Sequence, residues 1–370
     1  MNNNFWFTSG SGEESLDTVS VLNQLKSDIT IYKEKQEVIN HLISLLESEE
    51  KINDLIGIQE INYIKRHSID KWTEYLIYRY EFKYIASKNK ETNYPIYVLL
   101  ELTSICNLRC KMCFQVDKSF VTREYMGKMS FELYKEIIDE ISKNGTKAIT
   151  FASRGEPLLH PKIGAMLEYA SGKFIDIKIN TNATKLTKKL SKIILTSGVN
   201  EIVFSVDSDN KEQYESIRVR SNWEKVLDNI KSFETIRREM FPDASIHTRV
   251  SGVLVDGDQD IDKISKFWSQ YVDSTAFSVV EERWDTYNND IVNISKPCGY
   301  LWERMYVWYD GTCGVCDVDY KSKLSVGKFN SRKGGSIGEI WNSFKYNQLR
   351  MDHKLGNRSC YIPCDRCTHT

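Results

Sequence analysis

The stretch Cys106–Cys113, which reads Cys-Asn-Leu-Arg-Cys-Lys-Met-Cys, decides the fold of this chain. It contains three cysteines, separated by three and two residues, directly after the apolar, β-branched run 96–102, which predicts a strand. Three close thiolates suit an iron–sulfur cube and leave one iron open to another group. A structural zinc site would require a fourth Cys or His, and residues 68–159 contain none beyond these three.

Strands and helices alternate on the carboxyl side of this loop. A helix is predicted at 130–143, because Ser130 can cap it and Tyr134, Ile137, Ile138 and Ile141 share one face. Further strands are predicted at 147–152, 174–180, 200–206, 245–254 and 273–280. Six strands with intervening helices indicate an α/β fold with a parallel sheet, a partial (β/α)6 TIM-like barrel whose chemistry lies at the carboxyl ends of the strands.

Two flanking regions differ from this pattern and suggest three domains, 1–94, 95–281 and 282–370. The first is polar with helical periodicity, and we expect two to four helices that form a cap, a substrate lid or a docking surface. The last contains an apolar strand at 302–309, the turn Asp310-Gly311 and a helix from Ser336 to about Met351. It holds six of the nine cysteines and little apolar material, which suggests that a metal group stabilises it.

Composition excludes several classes of protein. The 50 basic and 51 acidic residues give a net charge of −1, so no global field attracts nucleic acid or an anionic membrane. Apolar residues make up 41%, as in folded proteins. No apolar run approaches the roughly 18–20 residues of a membrane span, and no secretory signal is evident at the amino terminus. We therefore expect a cytoplasmic location, where cysteines serve metal binding or catalysis rather than disulfides.

Several motifs follow the cysteine loop on successive strands. They are Ser153-Arg-Gly-Glu-Pro157, Asn180-Thr-Asn182, Ser205-Val-Asp207 and Arg218 in a Tyr-x-x-Ile-Arg context. With the C-x3-C-x2-C loop, this order resembles the radical S-adenosylmethionine (SAM) superfamily. Two positions depart from the family pattern: Met112 stands where an aromatic residue is usual, and Arg154 replaces the first glycine of a Gly-Gly-Glu-Pro motif.

The resemblance implies a set of cofactor ligands. Cys106, Cys110 and Cys113 would hold a [4Fe–4S] cluster, and SAM would bind its open iron. The expected SAM contacts are Met112 to adenine, Gly155 and Glu156 to the methionine amine, Asn182 in the following turn, Ser205 and Asp207 near the ribose, and Arg218 to the carboxylate. A flavodoxin- or ferredoxin-type donor would supply the electron that cleaves SAM to a 5′-deoxyadenosyl radical, which abstracts a substrate hydrogen.

The carboxyl-terminal cysteines resemble those of the SPASM/twitch domain, which binds auxiliary [4Fe–4S] clusters. Its single-cluster form implies the ligands Cys298, Cys316, Cys364 and Cys367, which leaves Cys313 and Cys360 over. Six cysteines fall short of the eight that two fully ligated cubes require, so one auxiliary cluster is favoured. Zinc stays open here, because C-x2-C pairs also occur in zinc ribbons.

The leading hypothesis is an oxidoreductase of dehydrogenase type that oxidises a small polar substrate, such as a sugar or aminocyclitol alcohol, with the help of the auxiliary cluster. The cysteine arrangement is similar to that of twitch dehydrogenases of aminoglycoside biosynthesis. The alternative is a maturase that modifies a ribosomally made precursor peptide by crosslinking, thioether formation or epimerisation. A non-enzymatic electron carrier would have no use for the SAM motifs. No general base or other catalytic residue is identified from the sequence.

Overall fold

The computed structural model describes residues 5–9, 16–48, 56–255, 257–280, 284–292, 294–330 and 335–369. Ten strands form one sheet. They are Phe5–Ser9 (β1), Tyr97–Leu100 (β2), Ala148–Phe151 (β3), Asp176–Thr181 (β4), Glu201–Ser205 (β5), His247–Leu254 (β6), Ser274–Val279 (β7), Arg304–Val307 (β8), Thr312–Gly314 (β9) and Gly327–Lys328 (β10).

The strand order is β1-β7-β6-β5-β4-β3-β2-β8-β9-β10. Strands β2 to β7 are parallel neighbours, and β8 pairs in parallel with the outer side of β2. Strand β1 lies antiparallel to β7, while β9 and β10 extend the other edge as antiparallel strands. This is the partial (β/α)6 barrel that the sequence predicts, with further strands on both sides.

Helices connect and cover the strands. They are Thr18–Asp28 (α1), Gln36–Glu47 (α2), Ile58–Arg66 (α3), Trp72–Tyr80 (α4), Phe131–Lys143 (α5), Ile163–Ala170 (α6), Lys188–Thr196 (α7), Lys211–Ile217 (α8), Trp223–Met240 (α9), Ile261–Trp268 (α10), Tyr300–Glu303 (α11), Ile337–Trp341 (α12) and Phe344–Lys354 (α13). None of the helices in the described part of the chain has the length and apolar character of a membrane span.

The main apolar core lies between the sheet and the helices that follow its strands. Alternate strand residues such as Ile177, Ile179 and Phe204 point into this core, and the residues between them line the barrel lumen. Residues of the carboxyl-terminal region, including Cys313 and Trp341, belong to the same cluster. This shared packing agrees with the expectation that the carboxyl-terminal region has too little apolar material for a core of its own.

The amino-terminal helices have a separate core and close one end of the barrel. Val21, Leu25, Leu42 and Leu76 are buried in a cluster formed by α1 to α4. A cavity of about 250 Å³ lies between α3 and α4 and the amino ends of the barrel strands. The helices therefore cap the end of the barrel that lies opposite the predicted cofactor site. Strand β1 was not anticipated by the sequence analysis.

Most predicted elements agree with the structure to within two residues, and one differs. The helix expected from Ser336 to about Met351 is divided into α12 and α13. Ser343 causes the division, because its hydroxyl accepts a hydrogen bond from the Tyr346 amide and begins a new helix. The predicted cap of α5 is present, since Ser130 accepts a hydrogen bond from the Leu133 amide. The expected domain boundary at 281/282 lies outside the described residues.

Candidate active site

The cysteine loop follows β2 and is held by backbone hydrogen bonds. The amides of Arg109 and Lys111 donate to the carbonyls of Val219 and Ile217, at 2.9 and 3.0 Å. The buried Gln115 side chain ties the base of the loop to the loop after β3, because its Nε2 donates to the carbonyl of Arg154 at 2.6 Å. These contacts fix the loop at the carboxyl ends of the strands.

The three cysteines of this loop form a thiol set suited to a cube. Cys110 is buried, and Cys106 and Cys113 are partly buried. Burial and the nearby Glu156 raise the pKa of Cys106 to about 12, and the thiols of Cys110 and Cys113 contribute to that rise. Three mutually close thiols in one loop provide the donors that a [4Fe–4S] cluster takes from a protein, with one iron left for another ligand.

Gly155 brings the loop after β3 against the cysteine loop. A Cβ at this position would lie 2.1 Å from the carbonyl oxygen of Thr103 and 2.8 Å from the amide nitrogen of Ile105. Both are backbone atoms, so only glycine allows this approach. The amide of the next residue, Glu156, donates to the Ile105 carbonyl at 3.0 Å and joins the two loops.

Glu156 is buried and organises the turn after β4. Its carboxylate accepts hydrogen bonds from the Thr181 hydroxyl and the Asn182 amide, each at 2.7 Å. Burial outweighs these bonds and raises its pKa to about 7. The Asn182 side chain lies 3.9 Å from the Cys106 sulfur. The structure thus brings Glu156 and Asn182 to the cysteine loop, while their predicted contacts with SAM stay predictions.

Asp207 and Arg218 form a buried ion pair. Arg218 Nε and Nη2 lie 2.6 and 2.9 Å from the two carboxylate oxygens of Asp207. Nη1 of Arg218 donates a hydrogen bond to the sulfur of Cys110 at 4.0 Å, so the guanidinium places positive charge beside the thiol set. Asp207 also accepts a bond from the Val253 amide at 2.9 Å. The roles predicted for these residues in binding ribose and carboxylate stay predictions.

The carboxyl-terminal half of the lumen includes small polar side chains. Ser205 and Asn180 lie there, and Met112 is partly buried in the cysteine loop. Below them, the Glu201 carboxylate pairs with Arg249 at 2.6 Å and with Lys178 at 3.2 Å, which closes the floor of the lumen with charge.

The buried polar atoms at this end of the barrel that have no hydrogen-bond partner within the described residues include Asn180 Oδ1, Ser153 Oγ and Trp308 Nε1. Strand alternation places Asn180 and Trp308 on the lumen face. Ser153 has a φ of 99°, in the region that favours glycine. Since buried polar groups are normally paired, these atoms are available to bond a ligand or water.

Arg154, the departure from the family motif, joins the barrel to the carboxyl-terminal region. Its guanidinium donates two bonds to the buried Glu101 carboxylate, at 2.6 and 2.7 Å. It also donates to the Tyr320 carbonyl at 2.8 Å and lies over the Trp308 ring at 4.2 Å. Local sequence patterns do not predict this role, because Glu101 and Arg154 lie 53 residues apart.

The four cysteines selected from the carboxyl-terminal set line one largely apolar cavity: Cys298, Cys316, Cys364 and Cys367. Arg358 holds the loop that carries the last two, since its guanidinium donates to the carbonyls of Cys364 and Cys367 at 3.1 and 2.7 Å. The two surplus cysteines lie elsewhere. Cys313 is buried in the main apolar core, and Cys360 is exposed.

Comparison with known families agrees with this geometry. A sequence model of the radical SAM superfamily matches residues 100–267, and one of the SPASM iron–sulfur cluster-binding domain matches residues 298–368. The chain belongs to the radical SAM superfamily. Its two domains imply a SAM-binding [4Fe–4S] cluster, SAM itself and auxiliary iron–sulfur binding, and the two thiol sets fit such clusters. No group of His, Cys, Asp or Glu within the described residues is arranged to share a single metal ion.

Curated relatives match only part of this radical SAM chain. The chain is 36% identical over 112 residues to a cofactor-modifying protein for tungsten-containing aldehyde ferredoxin oxidoreductase of Pyrococcus furiosus, which covers 30% of each chain. It is 31% identical over 136 residues to the subtilosin biosynthesis protein AlbA of Bacillus subtilis, or 36% of this chain and 29% of AlbA. The chain thus spans about a third of the length of these relatives.

Two solved structures share the fold. BtrN in complex with AdoMet and 2-DOIA superposes with a TM-score of 0.52 at 18% identity, covering 75% of this chain and 94% of BtrN. Streptococcus suis SuiB bound to its precursor peptide SuiA superposes with a TM-score of 0.53 at 14% identity, covering 91% of this chain and 84% of SuiB. At these identities the likeness shows the radical SAM fold alone.

Proposed function

We propose that this radical SAM enzyme oxidises a small polar substrate, such as a sugar or aminocyclitol alcohol. The observation that carries the proposal is a pair of buried polar atoms at the carboxyl ends of the strands, Asn180 Oδ1 and Trp308 Nε1, which have no hydrogen-bond partner in the described part of the chain. Asn180 Oδ1 is an acceptor and Trp308 Nε1 is a donor, and each suits a hydroxyl- or amine-bearing ligand.

The cluster and SAM, when bound, supply one-electron cleavage of the sulfonium and removal of a hydrogen atom from a substrate carbon. The residues of this chain would hold them: Cys106, Cys110 and Cys113 the cluster, and the loops fixed by Gly155, Glu156 and Arg218 the methionine end. An external donor of flavodoxin or ferredoxin type would provide the electron.

The lumen would position the substrate and exclude water. Leu99, Tyr306 and Trp308 form a buried apolar wall on one side, in contact with Cys316. The Glu201 ion pairs close the floor, and helices α3 and α4 cover the far end of the barrel. A substrate would therefore enter the lumen from the carboxyl ends of the strands, the end at which the cysteine loop lies.

The four-cysteine site supports an oxidative outcome. Oxidation of a secondary alcohol to a ketone removes one hydrogen atom from carbon, one proton from oxygen and one further electron. A [4Fe–4S] cluster held by Cys298, Cys316, Cys364 and Cys367 would receive that electron, and Cys316 contacts the wall of the lumen. The proton would leave to solvent or to a base that we do not assign.

A second candidate function, modification of a precursor peptide, is supported by relatives that act in peptide biosynthesis. AlbA is 31% identical over its matched segment and SuiB was solved with its precursor peptide. A peptide would need a docking surface. The described part of residues 1–94 contains four helices and one strand, and that strand pairs with β7 instead of forming a separate sheet.

The two candidates are tested with reconstituted protein under anaerobic conditions. Dithionite-reduced enzyme should release 5′-deoxyadenosine in the presence of SAM, and aminocyclitols or sugars should raise that release with formation of a ketone. Substrate deuterium on the oxidised carbon should appear in 5′-deoxyadenosine. Stimulation and deuterium transfer with a ribosomal precursor peptide, and with no small alcohol, would replace the first candidate by the second.

A further inference from the structure

His353 lies in the last turn of α13 and lines the same cavity as the four carboxyl-terminal cysteines. Its side chain is completely buried. Its Nδ1 lies 3.4 Å from the backbone nitrogen of Cys298, which donates a hydrogen bond to it. The histidine is therefore connected directly to a residue that we assign as a cluster ligand.

This hydrogen bond fixes the tautomer of the ring. A backbone amide only donates, so Nδ1 must be the acceptor and carries no proton. The ring proton then lies on Nε2, which makes Nε2 a donor. This Nε2 is buried and has no hydrogen-bond partner in the part of the chain that the structure describes.

The surroundings of the cavity offer this donor little besides sulfur. Leu301, Val315 and Pro363 provide apolar walls. The carbonyls of Cys364 and Cys367 already accept bonds from Arg358, whose other nitrogen donates to the carbonyl of His369 at 2.6 Å. A buried N–H donor on a residue that lines the same cavity as four thiols is in place to bond a sulfur of a cluster held there.

We propose that His353 Nε2 donates a hydrogen bond to a sulfur atom of the auxiliary cluster and thereby raises the reduction potential of that cluster. Hydrogen bonds to cluster sulfurs stabilise the reduced, more negatively charged state. His353 is thus a positioning and tuning residue for the site that receives the substrate electron. The inference rests on the assignment of the four cysteines as cluster ligands, which iron content tests separately.

The first test uses the unaltered holoenzyme. Protein labelled with ¹⁵N-histidine should show a weak ¹⁵N hyperfine coupling to the reduced auxiliary cluster in pulsed EPR. Wild-type protein that contains about eight irons per chain, as two cubes require, but shows no such coupling would overturn the proposal. About four irons would instead show that the auxiliary cluster assignment has failed.

The second test compares auxiliary-cluster midpoint potentials by EPR-monitored titration. In His353→Leu the potential should fall, so that the ratio of reduced to oxidised cluster at a fixed potential drops about five- to tenfold, tenfold being about 59 mV for one electron. His353→Gln, whose amide restores a donor near Nε2, should recover most of the shift. Equal potentials in all three proteins would contradict the proposal.

A matched control separates this effect from general damage. His247 is also buried, but its Nε2 pairs with the Ser274 hydroxyl at 2.8 Å at the amino end of the barrel. His247→Gln should leave the auxiliary potential unchanged. If His353→Leu does not retain the cluster, His353→Gln decides between the outcomes. A cluster-loaded His353→Gln protein with a midpoint potential near that of wild type supports the donor role. A midpoint potential that falls as far as expected for a lost hydrogen bond refutes it.

Discussion

At the scale of single residues, Arg154 and Glu101 form an ion pair in which both charged side chains are almost completely buried. Arg154→Met would leave the Glu101 carboxylate buried without its partner, which costs about 3–5 kcal/mol of unfolding free energy. The double variant Glu101→Gln with Arg154→Met should recover part of this loss. Thermal unfolding of the anaerobic holoenzyme measures both. Lys211→Met, which breaks the exposed pair of Lys211 with Glu224, should change little and serves as the control.

Asp176 gives a prediction about pH. Burial, with a contribution from Glu201, raises its pKa to about 6, above its value in an unfolded chain. Its stabilising contribution is therefore complete below about pH 4 and is lost as the pH rises through 6, a change of about 2–3 kcal/mol. Asp176→Asn should gain thermal stability over wild type between pH 5 and pH 8. Asp139→Asn should show no such gain, since Lys173 and Tyr169 lower the pKa of Asp139. If the difference in thermal stability between Asp176→Asn and wild type is the same at pH 5 and pH 8, the raised pKa of Asp176 is contradicted.

At the scale of elements, the contact between the loop after β3 and the cysteine loop should be essential for one cluster only. The Cβ of Gly155→Ala would meet Thr103 and Ile105 backbone atoms and push the loops apart. We expect iron to fall from about eight to about four per chain, because one cube is lost and the other kept. Gly257→Ala, with no heavy atom within 4 Å of its Cβ, should keep full iron content. Loss of all iron from Gly155→Ala would show that the two sites do not fold independently.

Sequence patterns predicted the elements well where the cause is local. Periodicity and capping located α5, and the thiol spacing located the cysteine loop. Contacts between distant segments were not accessible in this way. The Arg154–Glu101 pair, the position of His353 in the four-cysteine cavity and the pairing of β1 with β7 depend on which segments the fold brings together. The four-cysteine set was selected through family resemblance, and the structure places its members around one cavity.

At the scale of the whole molecule, the proposed assignment divides the carboxyl-terminal cysteines into four cluster ligands and two cysteines without a ligand role, Cys313 and Cys360. Replacement of Cys298, Cys316, Cys364 or Cys367 by alanine should reduce iron to about four per chain, whereas Cys360→Ala should retain about eight. Cys313→Ala should also retain the iron, since Cys313 packs in the apolar core away from the cavity. Iron and sulfide analysis with Mössbauer spectroscopy measures this. Full iron content in Cys364→Ala would show that a residue other than Cys364 is the fourth ligand of the auxiliary cluster.

If the two thiol sets have different functions, altering each set should change product formation in a different way. In the proposed function, SAM cleavage depends on the cysteine loop and on the motif loops of the barrel, so Cys298→Ala should still form 5′-deoxyadenosine. Oxidation of a substrate alcohol requires a second electron acceptor, so this variant should form little ketone, and the ratio of 5′-deoxyadenosine to ketone should rise at least tenfold above wild type. Cys106→Ala should form neither product, and Cys360→Ala should keep the wild-type ratio. If Cys298→Ala keeps the wild-type ratio of 5′-deoxyadenosine to ketone, the four-cysteine site shapes the pocket without receiving the electron.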